Sequence, residues 1–295
     1  LTIAAGEAHM KILVAVDENV YSRYAVGEAA RLAANTWPDV TLLAVDGDNG
    51  AGEGIGPDHP KAVALRKYRD DFLARMDRDL AIYGDPPSPG GWSAGAPGVL
   101  EETSPGGRKT FKLRLRKERP YKAILAESKE ERSDLLVMGS GQGDAAWEQD
   151  AEAPGKVAEN ADCSVLVIKE ARQPAKVSCC LDHDNVSQQS LETINQLVTL
   201  YKVDLEIVGV MNHGELKENV ERKMREVLDY YVERGVRTLV KVVEARSLNA
   251  FISASARTDL VALWMGAKSM LRRFFPSNKV APLVNNALSS VLILR

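Results

Sequence analysis

The sequence predicts an α/β protein built from two doubly wound parallel-sheet domains in tandem. Short apolar runs alternate with amphipathic segments, as strands and helices do when a parallel sheet is covered on both faces. Three segments recur in the same order: KILVAVD (11–17) with KVSCCLD (176–182), DLLVMG (134–139) with DLVALWMG (259–266), and ADCSVLVIK (161–169) with ALSSVLILR (287–295). Repetition of this kind indicates two copies of one unit, and 295 residues suffice for about two domains. The expected bounds are 10–170 and 175–295, with EARQPAK (170–176) between them.

In the first copy, Lys11–Val16 is continuously apolar, as a strand buried on both faces must be. A helix over about Tyr21–Asn35 follows, with Ala25, Ala29, Leu32 and Ala33 at helical spacing and Ser22 or Asn19 to cap it. Val40–Val45 is the second strand, and Pro60–Tyr83 a long charged helix. Phe111, Leu113 and Leu115 alternate with Lys112, Arg114 and Arg116, which predicts an outer, half-solvated strand over Arg108–Lys117. A solvated amphipathic helix opens near Pro120 and runs to about Glu131. Strand Leu135–Met138, a helix near Gly155–Asn160 and strand Ser164–Lys169 complete the unit. The second copy repeats the order, with strands at Lys176–Leu181, Asp204–Val210, Arg237–Val243, Leu260–Met265 and Ser290–Leu294. Its helices fall at about Val186–Tyr201, Glu215–Arg234, Leu248–Ala256 and Lys279–Ala287. One stretch breaks the symmetry. Gly84–Gly107 is half glycine and proline where the second copy has only RGV, and it reads as a mobile surface loop anchored by Trp92.

Several function classes are excluded on composition. The net charge of −3 lacks the basic excess of a nonspecific nucleic-acid binder, and no apolar run approaches the roughly 20 residues that span a bilayer. LTIAAGEAHM has neither the basic start nor the apolar core of a secretory signal, so a cytoplasmic protein is expected. Its natural start is expected at Met10, with residues 1–9 either an added segment or a disordered extension. Cys163, Cys179 and Cys180 fit neither a disulfide framework nor a zinc site and read as small buried hydrophobes. The four histidines are scattered, and none pairs with an evident nucleophile, so no catalytic triad is expected.

The strand ending in ILVAVDEN, the DLLVMGS strand and loop, and the closing VAENADCSVLVIK resemble the universal stress protein family. CCLDHD and DLVALWMGAKSMLRRFFPSNKVAPLVNNALSSVLILR resemble it again in the second copy, giving the tandem form. The resemblance covers nearly all of Met10–Arg295 and implies an adenine nucleotide alpha hydrolase-like fold. It also implies pairing of the two closing strands within one chain, an internal pseudo-dimer that shields both apolar edges. Further homodimerisation of the whole chain stays open. Nucleotide-binding members carry Gly, two residues, Gly, nine residues, Gly and then Ser or Thr after the fourth strand. Glycines there let backbone amides approach phosphates, and the following helix adds positive potential. By resemblance, Asp17 holds adenine or ribose, Val45 ends the second strand, and Met138 and Gly139 end the fourth.

Beyond Gly139 the pattern loosens. The second glycine falls on Gln142, with Gly143 one place late. The third is Gly155, followed by Lys156 in place of a hydroxyl residue. The loop also carries Asp144, Glu148, Asp150 and Glu152, and two unit charges about 4 Å apart interact by about 4 kcal/mol at an effective dielectric near 20. Lys156 or Mg²⁺ would offset part of that repulsion. In the second copy Asp182 is kept, but the loop reads Gly266-Ala-Lys268-Ser269 and is basic rather than glycine-rich. Two readings stand ahead of a third, a weak ATPase, which no positioned base or paired carboxylates support. One is a non-enzymatic stress-response module with a degenerate nucleotide site and an unidentified protein partner. The other is a sensor of ATP or AMP that uses the first copy, with Mg²⁺ if the ligand is a triphosphate.

Overall fold

The computed structural model describes residues 10–47, 55–76, 80–85, 91–141, 146–169, 173–180, 187–211, 218–266, 269 and 271–295. In the first copy the strands are β1 (Lys11–Val16), β2 (Asp39–Asp46), β3 (Ser93–Ala94), β4 (Val99–Thr103), β5 (Phe111–Lys117), β6 (Leu135–Gly139) and β7 (Ser164–Ile168). Its helices are α1 (Val20–Thr36), α2 (Pro60–Met76), α3 (Pro120–Glu131) and α4 (Ala153–Asn160). The second copy has β8 (Lys176–Cys180), β9 (Asp204–Met211), β10 (Thr238–Glu244), β11 (Leu260–Trp264) and β12 (Val291–Leu294). Its helices are α5 (Gln188–Tyr201), α6 (Glu218–Val232), α7 (Leu248–Ser255), the short α8 (Leu271–Phe274) and α9 (Val280–Asn286).

The strands form one sheet in the order β10-β9-β8-β11-β12-β7-β6-β1-β2-β5-β4-β3. Outward from the centre, each copy runs through its fifth, fourth, first, second and third strands, so the two halves mirror one another. They meet where β7 pairs antiparallel with β12, matching Leu166 with Leu292 and Val167 with Val291. Neighbours within each repeated five-strand set are parallel. The reversal at β7/β12 therefore marks the internal pseudo-dimer, and the sheet stays continuous across it. Both closing edges are thereby removed from water.

Alternate residues of each central strand feed a core on each face. Ile12, Val14 and Val16 join α1 and α2, and that core continues into α5 and α6. Leu13 and Ala15 join the core built with α3, α4, α7 and α9. This two-sided burial is why the strands read as unbroken apolar runs. Cys179 and Cys180 are buried and free, whereas Cys163 is half-buried.

Three sequence expectations are corrected. The helix expected over Pro60–Tyr83 is described over Pro60–Met76 and does not reach Tyr83, because Leu80–Tyr83 is a 3-10 turn. The Gly84–Gly107 insertion is not wholly irregular, because β4 pairs antiparallel with β5 and β3 with β4. Trp92 is buried under it, as expected of an anchor, and the Arg66 guanidinium lies 5.7 Å from its ring centre. Arg66 Nε also donates to the buried Glu102 carboxylate at 3.0 Å. Consequently β5 is not the outer strand, and on its polar face Arg116 is buried while Lys112 and Arg114 stay partly exposed. Arg114 Nε and Arg116 Nη1 lie 3.2 and 3.4 Å from the Glu127 carboxylate of α3, which is fully buried. The α3 helix is amphipathic, with Ala123, Ile124 and Glu127 buried and Lys122, Lys129 and Glu130 exposed, and its buried face includes an ion network that breaks badly if one partner is removed.

Candidate functional site

Strand order reverses between β1 and β6 in the first copy and between β8 and β11 in the second. Ligands of such sheets sit outside the carboxyl ends of the strands at these points. Asp17 follows β1, Val45 lies near the end of β2, and Met138 and Gly139 end β6. The fold brings these four predicted residues to one cleft.

The groups that would face a ligand there are bonded to the chain itself. Asp17 is 6% exposed. Its Oδ1 accepts from the Asn19 amide at 3.1 Å and the Ser22 hydroxyl at 2.7 Å. Its Oδ2 accepts from Asn19 Nδ2 at 2.9 Å, from the Tyr21 hydroxyl, and from the Glu148 amide at 3.4 Å. Burial, then the Asp17 charge, pushes the Tyr21 phenol far above its ordinary range, so it stays a donor. Neither expected cap serves α1, because Asn19 occupies the cap position with its side chain turned to Asp17 and Tyr21. The Val45 carbonyl accepts from the buried Lys61 ammonium at 2.9 Å, and the same ammonium reaches Glu148 Oε2 at 2.7 Å.

Residues 146–149 cross the cleft as a strap. The Ala146 carbonyl accepts from Asn19 Nδ2 at 3.2 Å. Trp147 is 4% exposed, stacks on Tyr21 with ring centres 6.3 Å apart, and donates from Nε1 to the Gly139 carbonyl at 2.6 Å. Gln149 folds over Gly47, where a Cβ would collide with its amide. A Cβ on Gly139 would lie 2.4 Å from Tyr21 Cδ2 and 2.6 Å from the Tyr21 carbonyl oxygen. That glycine is required by the packing of α1 on β6 in this conformation.

The other predicted residues lie apart or are used differently. Gly155 faces α9, where a Cβ would be 2.8 Å from Asn285 Oδ1 and 3.1 Å from Ala281 Cα. It lets α4 approach α9 across the join of the two copies. Lys156 is held by Asp150 Oδ1 at 3.1 Å and Glu152 Oε2 at 3.2 Å, above the Tyr121 ring. These pairs engage Asp150 and Glu152, and Lys61 engages Glu148. In the second copy no described residue would crowd a Cβ on Gly266, and Arg272 donates to the Met265 carbonyl at 2.8 Å. Ser269 donates to the Trp264 carbonyl at 2.8 Å. Gly143, Asp144, Asp182 and Lys268 lie outside the described residues.

Sequence reasoning missed Trp147, Tyr21 and Lys61. A lone tryptophan in an otherwise polar loop was the one available signal, since a large apolar ring seeks burial. Away from the cleft, a cavity of about 340 Å³ opens between α1 and α5, lined by Tyr24, Glu28, Arg31 and Tyr201 among others.

At the end of β7, Lys169 donates to the buried Ser140 hydroxyl at 3.0 Å. Burial lowers its pKa from 10.5 to about 8. The folded state therefore sheds this proton from about pH 8, while the unfolded chain keeps it to about 10.5. The unfolded state binds more protons in that window, so stability rises with pH through it. Lys169→Met is expected to flatten that rise and to raise stability at pH 7 by about 1–2 kcal/mol, after discounting for partial exposure. Chemical denaturation at pH 7 and pH 10 measures both effects.

The universal stress protein family model matches residues 9–169, the first copy. No curated protein matches the sequence. Among solved structures, a universal stress protein from Archaeoglobus fulgidus DSM 4304 is 13% identical, with a TM-score of 0.57 over 97% of this chain and 96% of its own. A functionally unknown protein from Pseudomonas aeruginosa PAO1 is 16% identical, with a TM-score of 0.55 over 97% of this chain and 92% of its own. At these identities the likeness is one of fold, and it extends through both copies. No described helix is long and apolar enough to cross a membrane. Matched by the family model over more than half its length, and folded like a member along nearly all of it, this chain belongs to the universal stress protein family.

Proposed function

We propose that this chain is a non-enzymatic regulatory module of the universal stress type that works through a protein partner. Its two domains span 10–170 and 175–295, and the nucleotide cleft of the first is closed by the chain's own side chains. The carrying observation is that the Asp17 carboxylate and the Val45 and Gly139 carbonyls already hold donors from Asn19, Tyr21, Ser22, Lys61 and Trp147. A nucleotide entering here would exchange existing hydrogen bonds for new ones, at a net gain near zero. It would also unseat the Trp147 ring, whose burial is worth about 2 kcal/mol or more. Calorimetric and thermal-shift titration of the intact protein with AMP, and with ATP plus Mg²⁺, tests the reading. No heat and no shift are expected at millimolar nucleotide. A saturable shift would instead support the sensor of ATP or AMP.

A further inference from the structure

The two ends of the sheet are finished differently. In the first copy the third strand, β5, is covered by β4 along its outer edge, from Val99↔Arg116 to Thr103↔Lys112. The second copy has no such insertion, and its third strand, β10, ends the sheet. Leu239, Val240 and Val242 in β10 are 47%, 47% and 42% exposed. Four consecutive residues, Leu239–Val242, are exposed although the strand pairs with β9 over its whole length. An apolar edge of this length is a template for strand addition, and soluble proteins ordinarily block one. Its single central charge, Lys241, lies 4.7 Å from the Phe251 ring centre.

We propose that β10 is the interface between two copies of this chain, pairing antiparallel with β10 of a second molecule about a two-fold axis. The covered β5 edge shows what fits, since there an antiparallel strand completes the pseudo-equivalent position. The β10 sequence is self-complementary for this purpose. Centred on Val240, the pairing sets Val240 against Val240, Leu239 against Lys241 and Thr238 against Val242, and keeps the two lysines apart. Like charges directly opposite would oppose such pairing. A two-fold contact uses both edges and closes, so it makes a dimer rather than a fibre. The far end of the sheet is the two-residue strand β3, too short to template more. This inference does not depend on the reading of the nucleotide cleft.

Sedimentation equilibrium at tens of micromolar is expected to give twice the 32.2 kDa chain mass. Val240→Lys sets two lysines face to face across the axis and is expected to return the mass to that of one chain. Val63→Lys, at a 59% exposed site on α2, is expected to keep the dimer. Hydrogen exchange of the unmodified protein gives a check free of folding effects, because β10 amides should gain protection as concentration rises. A single-chain mass for the unmodified protein, a dimer that survives Val240→Lys, or β10 amides that exchange freely within the dimer would overturn the proposal.

Discussion

Gly139→Ala is expected to destabilise the ligand-free protein by about 3 kcal/mol or more, the upper range for forcing a methyl group into a filled space. The added carbon would sit 2.6 Å from the Tyr21 carbonyl oxygen and 2.7 Å from its carbonyl carbon. Those are backbone atoms at the start of α1 and cannot swing aside as a side-chain tip can. Relief requires α1 to shift, and α1 carries the Asn19, Tyr21 and Ser22 groups that hold Asp17. The loss should appear as a fall in melting temperature of roughly 6–10 °C for a chain of this size. A glycine kept only for phosphate approach would behave otherwise. Its replacement by alanine would leave the ligand-free protein untouched, and a melting temperature within a degree of the parent would sink the packing account.

The fold was legible because its signals are local and repeated. Buried strands announce themselves as apolar runs, three recurring segments revealed the duplication, and the family resemblance implied the pairing of the closing strands. Strand β4 escaped because VLEET carries two acids inside a glycine- and proline-rich surround. Glu102 is buried nonetheless, since Arg66 on α2 meets it from 36 residues away. Partners that distant leave no periodicity to read. The same reason hid the pairing of Arg114 and Arg116 with the buried Glu127. At the site, Asp17, Val45, Met138 and Gly139 were found by resemblance and do share one cleft. What the cleft contains was not legible, because the strap over it depends on Trp147 reaching back to Gly139 and Tyr21. Gly155 was singled out by resemblance as a phosphate-loop glycine, whereas here it packs against α9. Its neighbour Ala281 lies in the other copy, so no local motif could reveal that contact.

Trp147→Ala is expected to cost about 3–5 kcal/mol, as deletion of a buried aromatic ring does. It removes the stack on Tyr21 and leaves the Gly139 carbonyl without the indole donor. Denaturant unfolding measures that loss, and the same variant separates the two functional readings. Suppose the closed cleft were one state of a sensor, with Trp147 displaced when nucleotide binds. Apparent affinity would then be lowered by the small fraction of open molecules, and removing the ring would restore it. AMP would bind the variant more tightly than the parent, by the factor that the ring had kept the cleft shut. In the self-filled cleft, Asp17 still holds Asn19, Tyr21 and Ser22, and Val45 still holds Lys61 after the ring is gone. No AMP binding is therefore expected in either protein. Calorimetric heat of AMP binding that appears only in Trp147→Ala would reassign the strap from a permanent filling to a gate.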